Sequence, residues 1–470
     1  MDLEIFLTNT LSKRKELFIP IIPNKVKLYQ CGPTVYWTQH IGNMRAVVIT
    51  DLLVRTFSYA GYDVSFTRNY TDVGHLTSDE DLGEDKMAKG AKREGKTPDE
   101  IAQKYINIFE KDVTALNARA PFAKPRATEY IDEMIEMVRI LLEKGFAYKT
   151  PLAIYFDVSK AKEYTRLSGQ ILEHNIEDAG KGSVSDPEKK HPEDFSLWFF
   201  KAGAHEKALQ TWQNPFDEKE GFPGWHLECS AMIKKILGTT IDIHMGGIEH
   251  IPVHHTNEIA QSESANDAPL ARYWLHYEHL LVDGKKMSKS EGTSYSLADL
   301  REKGFDPLAL RYFFLNSHYR SKQNFTWEAL EGAKTALRRL QSSLGADEGG
   351  TINEEYRARF IKHLTDDLDT PRALALVWEL IKDQSVSISD KTATLLDFDR
   401  VLGLNLVPQK EESVPAEIEA LAHSRDKARE NKDWATSDEI RDKIKSLGWD
   451  ILDTPDGQKV TPSLGGRTSK

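Results

Sequence analysis

Cysteine is almost absent: Cys31 and Cys229 are the two in 470 residues. That excludes a disulfide framework and points to a reducing compartment, so a cytoplasmic location is expected. Long apolar runs are missing as well. Nothing approaches about 18 consecutive apolar residues, so no membrane-spanning helix is expected. The N-terminal MDLEIFLTNTLSKRKELF lacks the basic-then-apolar pattern of a secretory signal. Nor is there an excess of positive charge. Lys and Arg number 62 against 73 Asp and Glu, a net charge of −11. The chain as a whole does not advertise nucleic-acid binding, although a local basic footprint is compatible with it. The small basic groups at Lys13–Lys15, Lys92–Arg93, Arg338–Arg339 and Arg425–Arg429 read first as solvated helix faces. No internal repeat is visible.

The composition itself is ordinary, 40% apolar and 29% charged. At this length about three or four domains are expected. VKLYQC (26–31) reads as a short buried strand, a helix follows through Met44–Gly61, and VSFTRNYTDV reads as a second strand. This is a strand–helix–strand unit, the seed of a parallel sheet. Residues 79–96 are charged and Gly-punctuated and read as a mobile loop; helices follow at 98–118 and 127–145. The stretch 146–222 changes character, with short strands such as AIYFDV and a Lys/Glu/Asp/Gly-rich run at 174–194, and reads as an insertion. Parallel-sheet alternation returns in TTIDIHMGG and LHYEHLLV, closing a split α/β domain. Helices at 326–345, 354–367, 371–387 and 390–402 make a bundle. A linker at 405–415 and a charged helix pair at 416–447 end the chain.

Three strings carry chemistry. In Gly224–Glu258, Cys229 shares a stretch with His254, His255 and Glu258. His254 and Glu258, four residues apart, lie on one helix face. Thiolate, imidazole and carboxylate together suit zinc. Cys31 lies far upstream, so only tertiary folding could complete such a site; otherwise both cysteines are buried small hydrophobes. His40-Ile41-Gly42-Asn43 opens a helix after the first strand. Free N–H groups and the helix dipole there suit phosphate, Gly42 permits close approach, and His40 and Asn43 could hydrogen-bond a nucleotide. The bland alternative is a helix cap. Lys286-Met287-Ser288-Lys289-Ser290 follows Asp283-Gly284 in a turn, two ammonium groups on a flexible segment suited to a triphosphate.

HIGN and KMSKS, separated by a split parallel-sheet domain, resemble the two signatures of class I aminoacyl-tRNA synthetases. Together with CGPTVYWTQHIGN, RNYTDV, GWHLECSAM, the HHxxE segment, DPLALRYFFLNSHYRSKQNFTWEAL, DDLDTPRALALVWEL and WATSDEIRDKIKSLGWDILDT, they resemble the cysteinyl-tRNA synthetases over nearly the whole chain. The resemblance implies a Rossmann-like catalytic domain (1–145 and 223–290) split by a connective insertion (146–222). It further implies a stem-contact region (291–330), a tRNA-binding helical bundle (331–407) and a C-terminal anticodon-binding module (408–470). It implies one zinc on Cys31, Cys229, His254 and Glu258, with His255 as a non-ligand neighbour. An ATP site would use Thr34, His40, Gly42, Asn43, Lys286, Ser288 and Lys289, and a cysteine pocket Thr71 and Trp225.

The implied partners are ATP with Mg²⁺, L-cysteine and the tRNA for cysteine, acting with a monomer and no membrane. The implied reaction forms cysteinyl-adenylate and passes the acyl group to a terminal ribose hydroxyl. Thiolate binding by zinc would separate cysteine from serine, which shape alone discriminates poorly. The chain departs from the common pattern where Asn43 replaces the second signature histidine, where His250 is added, in TDVGHLTSDEDLGEDK, and in a tail without the usual Trp-Arg ending. A cysteine ligase acting on a small amine shares the catalytic half, and the C-terminal module speaks for tRNA instead. A non-catalytic tRNA-binding or zinc-storage protein would not need an intact KMSKS.

Overall fold

The computed structural model describes residues 3–73, 76, 85–169, 186–287, 292–345, 349–407, 415–454 and 457–462. They fall into two units, Met1–Val407 and Pro408–Lys470. The first begins with an antiparallel hairpin of β1 (Phe6–Asn9) and β2 (Arg14–Leu17). Then come β3 (Lys25–Gln30), α1 (Ile41–Tyr59) and β4 (Asp63–Arg68). Helices α2 (Lys86–Glu94), α3 (Pro98–Ala115) and α4 (Ile131–Glu143) follow. Strands β5 (Ala147–Lys149), β6 (Ala153–Phe156), β7 (Phe195–Phe200) and β8 (Gly221–Pro223) form one antiparallel sheet in that order. The chain returns through α5 (Trp225–Ile236), β9 (Ile241–Gly247), α6 (His254–Asn266) and β10 (Ala271–Tyr277).

The central sheet runs β10-β9-β3-β4, all parallel. The chain moves from β3 outward to β4, then re-enters on the other side of β3 as β9. The direction therefore switches between β3 and β9, where open parallel sheets leave a crevice at their carboxyl ends. Strand pairing there continues past β3, as Cys31 N donates to Met245 O at 3.2 Å. The sheet lies under α1, whose sequence VVITDLLV is buried almost all round. That explains why the helix reads as a continuous apolar run rather than a stripe.

Three local expectations change. The segment 79–96 is in part a helix: Asp85 caps α2 through Met87 N at 2.7 Å, and Gly95 ends it in the left-handed region. Its Met87, Gly90 and Ala91 supply a narrow buried stripe that the surrounding lysines obscure in sequence. Residues 77–84 and 170–185 lie outside the described residues, as does most of the 405–415 linker. LHYEHLLV is two strands, β10 and β11 (Leu280–Val282). β11 pairs with β12 (Lys285–Lys286) antiparallel and with β13 (Gln323–Phe325) parallel. The first signature helix begins at Ile41, within the HIGN string expected to open it, and ends at Tyr59 rather than Gly61.

Helices α7 (Leu297–Glu302), α8 (Pro307–Leu315), α9 (Trp327–Ser342), α10 (Glu354–Thr365), α11 (Thr370–Lys382) and α12 (Ile388–Leu402) complete the unit. One apolar core joins them to α1 and the sheet. The second unit packs α13 (Ala416–Glu430) and α14 (Trp434–Ser446) with the hairpin of β14 (Trp449–Thr454) and β15 (Gly457–Pro462) around Ile418, Ala422, Ile444, Trp449 and Ile451.

Where α1 meets the bundle, the core is charged. Asp51 accepts from Arg311 Nη2 at 2.6 Å, Arg55 Nε at 2.7 Å and Arg119 N at 2.7 Å. Arg311 also donates to Leu402 O and Leu116 O. Burial would raise the Asp51 carboxyl, but Arg311 and Arg55 outweigh it and hold it below the usual carboxylate range. Its contribution to stability is therefore present at neutral pH and is lost as pH falls below the ordinary Asp value toward the depressed one. Asp51→Ala strands a buried guanidinium and is expected to cost about 3–5 kcal/mol in denaturant unfolding near neutral pH. The difference from wild type should shrink below about pH 4. An unchanged unfolding midpoint at pH 7 would remove this network from the account.

Candidate active site and metal group

Cys31 follows β3 directly, His244 lies within β9, Cys229 sits on α5, and His254, His255 and Glu258 sit on the first turns of α6. Three consecutive elements and the distant end of β3 thus converge at the sheet's switch point. The ligand atoms of Cys31, Cys229, His254 and Glu258 all lie within 4.8 Å of one another. Cys31 Sγ is 3.9 Å from Cys229 Sγ and 3.8 Å from Glu258 Oε1. His254 Nε2 is 2.9 Å from Glu258 Oε1. Two thiols, an imidazole and a carboxylate gathered this closely are what a cation would hold together. Two sulfurs, an imidazole and a carboxylate fit a borderline-soft divalent ion.

The charges fit the same reading. Burial opposes the Cys229 thiolate, but the contacts with Cys31 and His254 outweigh it and bring its pKa below the ordinary thiol value. Burial, with Cys229 and Glu258 adding to it, pushes the Cys31 thiol well up. Burial likewise opposes the His254 imidazolium, but Glu258 and Cys229 raise it to about 10. Glu258 is held well below the carboxylate range because His244 and His254 outweigh its burial.

His226, Glu228, His244 and His276, which the sequence does not single out, adjoin the group, as does His255. His244 Nε2 is 2.6 Å from Glu258 Oε2. His226 Nδ1 meets His254 Nδ1 at 3.0 Å. His255, read from sequence as a non-ligand neighbour, approaches Cys31 Sγ with Nε2 at 3.4 Å, and its Nδ1 meets His276 Nε2 at 2.7 Å. Glu228 accepts from Thr71 Oγ1 at 2.9 Å. The only sequence signal for these was their imidazole and carboxylate chemistry beside the motif strings. Periodicity assigns them to a strand or a helix face and says nothing of what they meet.

The proposed pocket residues flank the group. Trp225 stacks on His254 with ring centroids 4.1 Å apart, and Thr71 bridges to Thr34 through Val35 N→Thr71 O at 3.1 Å and Thr71 N→Pro33 O at 3.2 Å. At the first signature, His40 caps α1. His40 Nδ1 accepts from Asn43 N at 3.3 Å, and Asn43 Oδ1 accepts from His40 N at 3.2 Å. This capping box fixes the ring's proton on Nε2 and leaves the Asn43 amide N–H₂ outside the box. The expected roles as cap and as nucleotide contact are therefore compatible. A Cβ on Gly42 would lie 2.3 Å from Met287 Cε, so the two signatures touch. Lys286 is exposed on β12; Ser288 and Lys289 lie outside the described residues.

Comparison with known proteins agrees. The family model for the class I tRNA synthetase (C) catalytic domain matches residues 17–335, and that for the cysteinyl-tRNA ligase anticodon binding domain matches 411–460. A relative from Burkholderia lata, cysteine–tRNA ligase 1, is 44% identical over 97% of this chain and 96% of its own. The cysteine–tRNA ligase of Treponema denticola is 41% identical over 94% of this chain and 96% of its own. Among solved structures, methionyl-tRNA synthetase of Mycobacterium tuberculosis with methionyl-adenylate covers 81% of this chain and 90% of its own at TM-score 0.54 and 16% identity. A LeuRS–tRNA ternary complex from Agrobacterium radiobacter covers 83% and 84% at TM-score 0.58 and 11% identity. The class that fold and matches define is the class I tRNA synthetases. Within it, the chain belongs to the cysteine–tRNA ligase family.

At pH 8 the charge pattern leaves protons on Cys31 and His254 and none on Cys229 or Glu258. A divalent cation taken by all four must therefore expel about two protons. Calorimetry of cation binding in buffers of different ionisation enthalpy is expected to count them. Affinity should rise about 100-fold per pH unit near pH 8, the slope that two released protons impose. A pH-independent affinity would contradict the protonation pattern.

Proposed function

We propose that the chain activates L-cysteine with ATP and transfers it to the 3′ end of the tRNA for cysteine. The gathering of Cys31, Cys229, His254 and Glu258 at the sheet's switch point, beside Trp225 and Thr71, carries this reading. A group of thiolate, imidazole and carboxylate donors in the amino-acid pocket suits recognition of a thiol side chain. Zinc held by these four residues, when bound, supplies a Lewis acid that prefers thiolate to hydroxyl, so serine is rejected without an editing site. His255 borders the group.

In the first step a carboxylate oxygen of cysteine bonds to the α-phosphorus of ATP while the bond to pyrophosphate breaks. The chain's task there is alignment and charge stabilisation. The N-terminus of α1, the His40 Nε2–H and the Asn43 amide hold phosphate or ribose oxygens, with Gly42 allowing close approach and Thr34 bordering the nucleotide. Lys286, Ser288 and Lys289 enclose the triphosphate, and Mg²⁺ accompanies it. In the second step the terminal ribose hydroxyl of the tRNA attacks the acyl carbon, and AMP leaves. Residues 1–145 and 223–290 do this chemistry around the insertion 146–222. Residues 291–330 contact the acceptor stem, the bundle 331–407 the tRNA body, and 408–470 the anticodon arm. The enzyme acts as a cytoplasmic monomer; among the described residues no helix is long and apolar enough to cross a membrane. A ligase that passes cysteine to a small amine would share the catalytic half, but the match of 411–460 to an anticodon-binding family supports tRNA as acceptor.

Lys289→Ala is expected to slow cysteine-dependent ATP–pyrophosphate exchange by roughly 10²–10³-fold while leaving cysteine affinity nearly intact, since the ammonium acts on charge developing at the phosphates. Normal exchange in that variant removes Lys289 from the site. Truncation before Pro408 is expected to spare the exchange and to weaken tRNA charging, together with its salt dependence, as phosphate contacts are lost. A folded truncated enzyme that charges tRNA as well as the full chain would overturn the anticodon assignment. Cysteine transfer to an amino sugar by both forms, without tRNA charging, would install the small-amine ligase instead.

A further inference from the structure

A second set of donors adjoins the first and shares two of its members. The ligand atoms of Cys31, His244, His255 and Glu258 also lie within 4.8 Å of one another; the last three side chains are buried and Cys31 is half-buried. Cys31 and Glu258 form a common edge, with Cys229 and His254 on one side of it and His244 and His255 on the other. The second pair is built as ligands are built. His255 turns Nε2 toward Cys31 Sγ at 3.4 Å, while its Nδ1 is fixed by His276 Nε2 at 2.7 Å. His276 Nδ1 is fixed in turn by Thr10 Oγ1 at 2.8 Å. Such an outer chain sets the tautomer and aim of a coordinating imidazole.

His244 is wholly buried, and its Nδ1 has no hydrogen-bond partner among the described residues. Its ring cannot turn easily to find one. Trp274 stacks on it with centroids 4.6 Å apart and Tyr29 meets it edge-on at 5.4 Å. Its Nε2 lies 2.6 Å from Glu258 Oε2, a contact that satisfies both groups while a hydrogen sits between them. A divalent cation can take the place of that hydrogen, with both groups as ligands.

We propose that the cavity holds its cation in either of two adjoining positions, and that Cys31, His244, His255 and Glu258 form the second. This rests on zinc occupying the first set, as argued above. One sulfur, two nitrogens and one oxygen suit the same class of borderline divalent ions, zinc or cobalt(II). The ion can let go of Cys229 and His254 while keeping Cys31 and Glu258, and so leave the first position without leaving the protein.

The full-length chain bearing Cys229→Ala and His254→Ala tests this with zinc itself. Elemental analysis is expected to find about one zinc per chain in that variant. X-ray absorption should give one sulfur and two imidazoles, where the wild type gives two sulfurs and one imidazole. Adding His244→Ala should abolish binding. A double variant that keeps the wild-type circular dichroism but holds no zinc, beside a loaded wild type, overturns the second position and leaves the first intact. A wild type that holds no zinc overturns the reading on which both rest. If the double variant does not fold, Cys229→Ala alone decides. A second imidazole in its absorption spectrum supports the proposal, and an unchanged count of one, or loss of the metal, refutes it.

Discussion

The backbone hydrogen bond from Cys31 N to Met245 O ties the carboxyl end of β3 to that of β9. The functional half of the molecule depends on that pairing. It brings a strand from the chain's beginning against one from its middle, with the whole antiparallel insertion looped out between them. Without it Cys31 would stand on one half-domain and Cys229, His254 and Glu258 on another. The two parallel segments give the cavity a rigid floor, and α5 and α6 close it. Burial of so many titratable side chains is tolerable because each strand end delivers a partner of complementary charge or a donor of complementary geometry.

A second tie holds that half to the helical bundle. Asp51 on α1 and Arg311 on α8 are both enclosed, and Arg311 reaches the carbonyls that end α3 and α12. Gly403, at φ +65°, sits where a Cβ would lie 2.5 Å from the Arg311 guanidinium. Besides the Asp51 carboxylate, the guanidinium therefore reads helix ends, and its geometry depends on backbone that packing has already fixed. An apolar pair of similar volume could hold these helices together; it could not measure their ends in this way.

Much of the site was legible in the sequence because rarity concentrates information. Two cysteines in 470 residues, each inside a motif string, single themselves out, and His254 with Glu258 follow from helix spacing. The parallel sheet, the insertion and the bundle were legible from period and length. His244 was not, because within IDIHMGG it reads as one more position of a buried strand. What sets it apart is its contact with Glu258, which no local pattern encodes. Helix α2 was hidden for the opposite reason: its charged face dominates the composition while only Met87, Gly90 and Ala91 are buried. The short strand β13 was invisible because three residues carry no measurable period, and only the pairing with β11 defines it. The signature pair HIGN and KMSKS was legible as two motifs, but the seat of Met287 over Gly42 was not.

The order of strands in the central sheet also bears on synthesis. β3 and β4 leave the ribosome early, but β3's other neighbour, whose Met245 pairs with Gln30, lies 215 residues later by the register. At roughly 5–20 residues per second, that interval lasts about 10–40 s. Through it, the inner edge of β3 and the Cys31 thiol remain on the nascent chain without the pairing that later conceals them. An open strand edge of this kind is a template for association with other chains. The folded enzyme gathers Cys31 with Cys229, His254 and Glu258, and the growing chain must pass through a long interval in which Cys31 has none of these companions.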